Sequence, residues 1–400
     1  MDIGTTHIRL SLWDLPACKR IDGRSGLNPQ SVYGADVLTR LMEAARSPEF
    51  AQEIGRLAQQ AIAQALAEMA TASSIHLTDI GEVWLVGNTA MLSLLSGRNH
   101  DLLLQPEYWT QRIDCQPPDI SFLRAAWGIS TTATIRFIPP MGGFIGSDLL
   151  AGIIATQLTE QLPGALLIDF GTNSEIALWD GHLLRVTSAA GGPAFEGSGI
   201  GYGMPGEAGA IYRVKSGKDK AFEIGVLGGG EPKGVCGSGL VDSIAWLRQN
   251  NRLDKVGRFS AVDNGGFLLQ EADNNIVLKS RDVDVFQRAK AAIGAGILWL
   301  CGQANMPLSG LSHIYACGAF GRLLDVANAQ SIGLLPFIPS ETVELQGNTA
   351  LAGCEALLLS SMASDTLDAL LAITKVHNMA EETTYERLFV ENLYLQPMQD

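Results

Sequence analysis

An α/β fold of two similar halves is what this sequence predicts, and three observations predict it. Strand, tight turn and returning strand, followed by helices, recur twice along the chain. The pattern Asp-x-Gly-Thr stands at Asp2-Ile3-Gly4-Thr5 and again at Asp169-Phe170-Gly171-Thr172, 167 positions later, each time where one strand hands over to the next. A length of 400 residues also exceeds what one hydrophobic core usually supports, so two lobes are expected.

Taken in order, Met1-Asp2-Ile3-Gly4 puts the first glycine turn almost at the terminus, whereas strands usually run about five or six residues. That favours a start internal to a longer natural chain over a stub strand. Residues 7–14 alternate polar and apolar and read as a strand leaving the turn, and a polar loop follows to about Tyr33. Asp36 to Ala45 and Ala51 to Ala70 carry apolar residues at helical spacing. Val83 to Val86 is a buried strand ending at Gly87-Asn88-Thr89, with a helix from Ala90. Thr134 to Ile138 is a strand closed by two prolines, and Gly146 to Leu158 is a helix.

Ala165 to Ile168 is an apolar run of the kind covered on both faces, and Ser174 to Trp179 is its return strand. Gly-rich stretches cover 191–209 and 225–239, the second leading into a helix from Leu240 to Gln249. Val283 to Cys301 is a long helix, His313 to Ala316 a strand, and Gly347 to Met362 a helix. The expected division is 1–160 as the lobe with the first phosphate turn, 161–375 as the lobe with the second, and 376–400 packing back on a lobe.

The chain is 46% hydrophobic, with 44 glycines and a formal net charge of −14. That charge argues against a nucleic-acid partner, which needs Lys and Arg to displace counterions. It is compatible with a nucleotide met locally by backbone N–H groups and Mg²⁺. The six cysteines lie too far apart in sequence for a zinc or cluster loop. Without an export segment, a cytoplasmic protein with reduced thiols is expected. The longest apolar stretches, 149–155 and 350–362, are too short to span a bilayer, so no membrane is expected.

In each turn, Gly4 or Gly171 lets the backbone bend and a phosphate approach without a Cβ in the way. Thr5 and Thr6, and likewise Thr172 and Asn173, offer N–H and side-chain donors to phosphate oxygens. Asp2 and Asp169 suit a hydrated Mg²⁺, which is why they are the metal candidates. One such turn alone is as readily an ordinary Asx turn; the duplication carries the argument. A third loop, Gly318-Ala319-Phe320-Gly321, follows a strand, and its glycines permit approach of a purine or ribose, or simply close helix packing. Asp169, Glu175 and Glu196 are the catalytic candidates, the two glutamates as carboxylates that could orient a water. An exposed structural acid is the alternative for either. Asp148 reads first as a helix-start acid, and Asn88 and Asn348, both in Gly-Asn-Thr-Ala, as helix caps. Cys236 and Cys317 read as packing thiols, Trp246 and Trp299 as core, and Lys233 and Arg322 as weak phosphate candidates.

The three loops, in this order, resemble the phosphate-one, phosphate-two and adenosine motifs of the acetate and sugar kinase, heat-shock chaperone and actin superfamily. The resemblance implies a two-lobed actin-like ATPase fold of duplicated ribonuclease-H-like lobes, with ATP and Mg²⁺ in a central interdomain cleft. Within it, Asn28-Pro29-Gln30, Tyr33-Gly34-Ala35-Asp36-Val37, Gly87-Asn88-Thr89-Ala90-Met91, Gly142 to Asp148, Gly192 to Gly197, Cys236 to Asp242 and Gly347 to Ala350 are similar to stretches of the reductive activators of corrinoid proteins. That likeness implies ATP-dependent return of a cobalt(II) corrinoid protein to cobalt(I). It implies a corrinoid protein as partner, with its methyltransferase as a second candidate, and a homodimer. Complete activators carry an iron–sulfur domain; none is expected in this chain, so the electron would come from an external donor. Ser93 stands where the family commonly has His. The alternatives are a small-molecule kinase of the same fold, the activator ATPase of a radical dehydratase, and a nucleotide sensor without turnover.

Overall fold

The computed structural model describes the chain apart from residues 218–220, 264, 272–274, 380–381 and 400 and the side chains of Pro193 and Ala319. Contacts divide it into two units, Met1–Gln157 with Asn348–His377, and Leu158–Gly347 with Asn378–Asp400.

The first unit opens with β1 (Asp2–Ile3), β2 (His7–Asp14) and β3 (Lys19–Leu27), continues through α1 (Val37–Ala44) and α2 (Pro48–Ser73), and adds β4 (Glu82–Gly87), α3 (Thr89–Ser96), α4 (Ser121–Trp127), β5 (Thr134–Phe137) and α5 (Ser147–Thr156). Its sheet runs β3-β2-β1-β4-β5. The stub β1 is held from both sides, antiparallel to β2 (Asp2↔Arg9) and parallel to β4 (Ile3↔Gly87). Helix starts follow ordinary capping chemistry: Asp36 accepts from Thr39 N, and Ser47 caps α2 ahead of Pro48. The core gathers Ile3, Leu41, Ile54, Leu85, Met91 and Trp127.

The second unit begins with β6 (Ala165–Asp169), β7 (Ser174–Trp179) and β8 (Leu184–Ala189), followed by β9 (Ala210–Ser216), β10 (Phe222–Val226), β11 (Gly234–Val235) and α6 (Gly237–Gln249). Then come β12 (Gly266–Gln270), β13 (Ile276–Lys279), α7 (Ser280–Gln303), β14 (His313–Cys317), α8 (Gly318–Gly321), α9 (Val326–Ser331) and β15 (Val343–Leu345). Its main sheet runs β15-β14-β6-β7-β8, with β6 parallel to β14 and antiparallel to β7. β6 is buried along four of its five residues, as its unbroken apolar run predicts.

The chain then returns to the first unit through α10 (Thr349–Leu359) and α11 (Ala363–Ile373), and α12 (Thr383–Glu391) belongs to the second. The sequence reading left residues 348–375 with the second lobe; contacts group them with the first. The reason is α10, which packs on α5 so closely that a Cβ on Gly353 would run into the Ala151 carbonyl. Among the described residues no helix is long and apolar enough to cross a membrane.

Candidate functional site

The first Asp-x-Gly-Thr turn leaves β1 and enters β2. Asp2 is buried, and its Oδ2 accepts from Asn348 Nδ2 at 2.7 Å and from Arg9 Nη1 at 3.3 Å. Asn348 meanwhile caps α10, its Oδ1 accepting from Leu351 N at 2.8 Å. Gly4 N donates to His7 O at 3.0 Å, and a Cβ at Gly4 would stand 2.8 Å from that same oxygen, so glycine is required by a close approach. The carbonyls of the turn are all tied down. Asn28 Nδ2 donates to Gly4 O (2.9 Å), Arg40 Nη1 to Thr5 O (2.7 Å), and Asn28 N to Thr6 O (2.9 Å). Gly4, Thr5 and Thr6 themselves are half-buried, and their carbonyls brace the turn from one side.

The second turn links β6 to β7. Asp169 and Glu175 are Cα partners in that antiparallel pair, so both side chains project from the same face of the sheet. Asp169 is half-buried and Glu175 buried. Thr172 Oγ1 donates toward both oxygens of Glu196 at 3.4 Å. Gly171 is held by a gentler constraint than Gly4, a Cβ there meeting Asn173 O at 3.2 Å. On the other flank of Asp169, β14 ends at Cys317 and Gly318 follows with φ +92°. A Cβ on Gly318 would sit 2.7 Å from Phe170 O and 3.1 Å from Asp169 Oδ1. The third loop therefore lies directly against the second.

Each turn taken by itself offers one carboxylate beside backbone and hydroxyl donors, groups of the kind that a hydrated Mg²⁺ with a polyphosphate uses. Gly318 lets the third loop approach the Asp169 carboxylate closely, since a Cβ there would stand 3.1 Å from Asp169 Oδ1. Residues 164–400 match the family model described as the C-terminal domain of RACo, the ASKHA domain, and residues 1–161 match that of the RACo middle region. The chain is 32% identical to the corrinoid activation enzyme RamQ of Eubacterium limosum, covering 98% of this chain and 69% of that one. It is 27% identical to the [Co(II) methylated amine-specific corrinoid protein] reductase of Methanosarcina barkeri, over 98% of this chain and 75% of that one. A solved reductive activator for a corrinoid, iron–sulfur protein superposes with a TM-score of 0.86 at 27% identity. That match covers 99% of this chain, which spans 65% of the activator's length.

The chain belongs to the RACo family. Its fold is accordingly that of an actin-like ATPase, as the three loops imply.

Other residues of this RACo-family chain fall outside the two turns. Phe320 is buried, its ring 5.0 Å from Phe170 and 4.9 Å from Phe195, so its side chain packs the core. Lys233 and Arg322 are exposed, their stems lying along Gly209 and Gly347. Asp148 is in the first turn of α5, where its Oδ1 accepts from Leu149 N. Asn88 caps α3 through Ala90 N. Ser93 is buried with its Oγ 3.2 Å from Cys115 Sγ, and burial pushes that thiol up to about 12. Cys236 and Cys317 are buried and in no disulfide, and Trp246 and Trp299 are core.

Sequence reasoning missed the braces of the first turn. Asn28 and Gln30 belong to a stretch noted only for its likeness; both are fully buried, and Gln30 Nε2 donates to Ile54 O at 3.0 Å. Arg40 left a clearer signal. It lies on the stripe of α1 that buries Val37, Leu41 and Ala44, and a charged residue at a core-facing helical position asks for an explanation.

Proposed function

We propose that this chain is the ATP-binding and ATPase part of a cytoplasmic reductive activator, which returns an inactive cobalt(II) corrinoid protein to cobalt(I). The observation that carries this reading is the pair of Asp-x-Gly-Thr turns, the second with Gly318 pressed against Asp169 in a chain of RACo type. The named activities of the two curated relatives support the corrinoid partner.

In this reading Asp2 and Asp169 hold Mg²⁺, which when bound offsets the charge of the phosphates. Thr5, Thr6, Thr172 and Asn173 bind phosphate oxygens, and the backbone of Gly318, Ala319, Phe320 and Gly321 borders the nucleoside. Glu175, on the face of the sheet shared with Asp169, and Glu196, held by Thr172, orient the attacking water. ATP and water give ADP and phosphate. A separate low-potential one-electron donor reduces Co(II) to Co(I), a step that is uphill, and nucleotide-dependent preference for one state of the corrinoid protein supplies the bias. A homodimer, with the corrinoid protein and its methyltransferase as partners, completes the proposal.

The test is ATP turnover with and without a cobalt(II) corrinoid protein, together with loss of the Co(II) absorption band under a chemical reductant. Corrinoid-stimulated turnover and ATP-dependent bleaching are expected. Phosphoryl transfer to a sugar or polyol, with no response to corrinoid protein, would overturn the reading in favour of a kinase.

A further inference from the structure

We propose that Arg40 is the positioning residue that turns Thr5–Thr6 into an anion cradle. From behind the turn it fixes the direction of the backbone amides and adds a buried positive charge to them. This rests on the nucleotide reading above and goes beyond it, by assigning polyphosphate affinity to a side chain outside the motif.

The described peptide bonds are all trans, and in a trans peptide the C=O and the following N–H point in opposite directions. Gly4 O is fixed by Asn28 Nδ2 at 2.9 Å and Thr5 O by Arg40 Nη1 at 2.7 Å. Both donors also reach one sulfur, Met91 Sδ, at 3.6 Å from Asn28 Nδ2 and 3.3 Å from Arg40 Nη1. The two carbonyls therefore converge on one side of the turn, and the amides of Thr5 and Thr6 face the other. Successive N–H groups held on one side make an anion-binding concavity.

Charge adds to direction. Arg40 is 1% exposed, and its guanidinium is bonded to two neutral carbonyls, Thr5 O and Gly34 O (2.9 Å). Among the described residues it has no ion pair within 4.0 Å. The nearby Asp36 carboxylate instead accepts from Thr39 N and Thr39 Oγ1, both at 2.8 Å. Burial lowers the group to about 10, against the pull of Asp36, so it stays protonated at neutral pH. A charged donor on Thr5 O polarises the Thr5–Thr6 peptide and strengthens its N–H as a donor on the far side. In the second turn Thr172 is engaged by the acidic Glu196.

The experiment compares the parent chain with Arg40→Lys and Arg40→Met by calorimetry against Mg-ATP, inorganic tripolyphosphate and adenosine, with melting temperatures recorded alongside. ATP and tripolyphosphate should weaken together, about 10-fold for Lys and about 100-fold for Met, while adenosine binding holds within about twofold. In turnover, KM for ATP should rise more than kcat falls. Unchanged tripolyphosphate affinity in a folded variant overturns the assignment while leaving the nucleotide reading intact. So does an equal loss for adenosine, which would mark Arg40 as merely structural. Should Arg40→Met not fold, Arg40→Lys decides by the same ratio. A parent chain that binds no Mg-ATP removes both proposals at once.

Discussion

Asn348 Nδ2 donates to Asp2 Oδ2 at 2.7 Å, joining the cap of one helix to the carboxylate of the first turn across 346 positions of sequence. The Gly-Asn-Thr-Ala repeat thus has two uses: Asn88 caps α3, whereas Asn348 caps α10 and also holds an acidic side chain. Asn348→Asp keeps the capping oxygen but replaces a donor with a second carboxylate. We expect Mg-ATP affinity to fall by about 10-fold in calorimetry, with helix stability changed by less than about 1 kcal/mol. Asn348→Ala should lose the cap as well, lowering stability by about 1 kcal/mol.

Gly318 is a position at which the second and third loops touch. Any side chain there has both a left-handed φ of +92° and a clash with Phe170 O to accommodate. Gly318→Ala should cost about 1–3 kcal/mol in denaturant unfolding and shift Asp169 enough to abolish most ATP turnover.

Glu175 and Asp169 share a sheet face but have different proposed duties. Glu175→Gln should lower kcat for ATP by about 100-fold or more with binding retained, the sign of a lost water-orienting group. Asp169→Asn should weaken Mg²⁺-dependent binding itself. The two outcomes separate by measuring ATP affinity with and without Mg²⁺, and equal loss of binding in both variants would remove the division of roles.

Lys290 is buried in α7, with Gly333 O at 3.5 Å as its acceptor, and burial lowers its ammonium from 10.5 to about 7. Between pH 7 and pH 10.5 the unfolded chain holds a proton there that the folded chain does not, so this group makes stability rise with pH across that window. Below about pH 7 both states are protonated and the full burial cost remains. Lys290→Met should therefore stabilise the protein by about 1–3 kcal/mol at pH 7, and the gain should vanish above pH 10.5. Melting curves across pH 6–11 check both the sign and the window.

Much of the secondary structure was legible because it is local. His7–Asp14 and Ser174–Trp179 form strands over the residues that alternation and apolar runs indicated, and α1, α5 and α7 fall within a few residues of their predicted spans. β3 was not legible. Lys19–Leu27 contains two glycines and four charged residues, is largely exposed, and reads as a polar loop; it is a strand only because β2 supplies its hydrogen bonds along eight pairs at the sheet edge. The hairpin of β9 and β10 was hidden likewise between Gly-rich stretches, where turn composition masks the strands they connect.

What the sequence determined by itself was the repeated turn and the family, because Asp, Gly and Thr at fixed short spacing, twice along one chain, are legible without any knowledge of the packing. What only the tertiary structure decided was how those bends are held. Asn348 reaches Asp2, Gly318 meets Asp169, and Arg40 lies behind Thr5. Each of those contacts is made between segments far apart in the chain, and such proximity follows from packing a core and closing a sheet, which no short stretch of residues encodes.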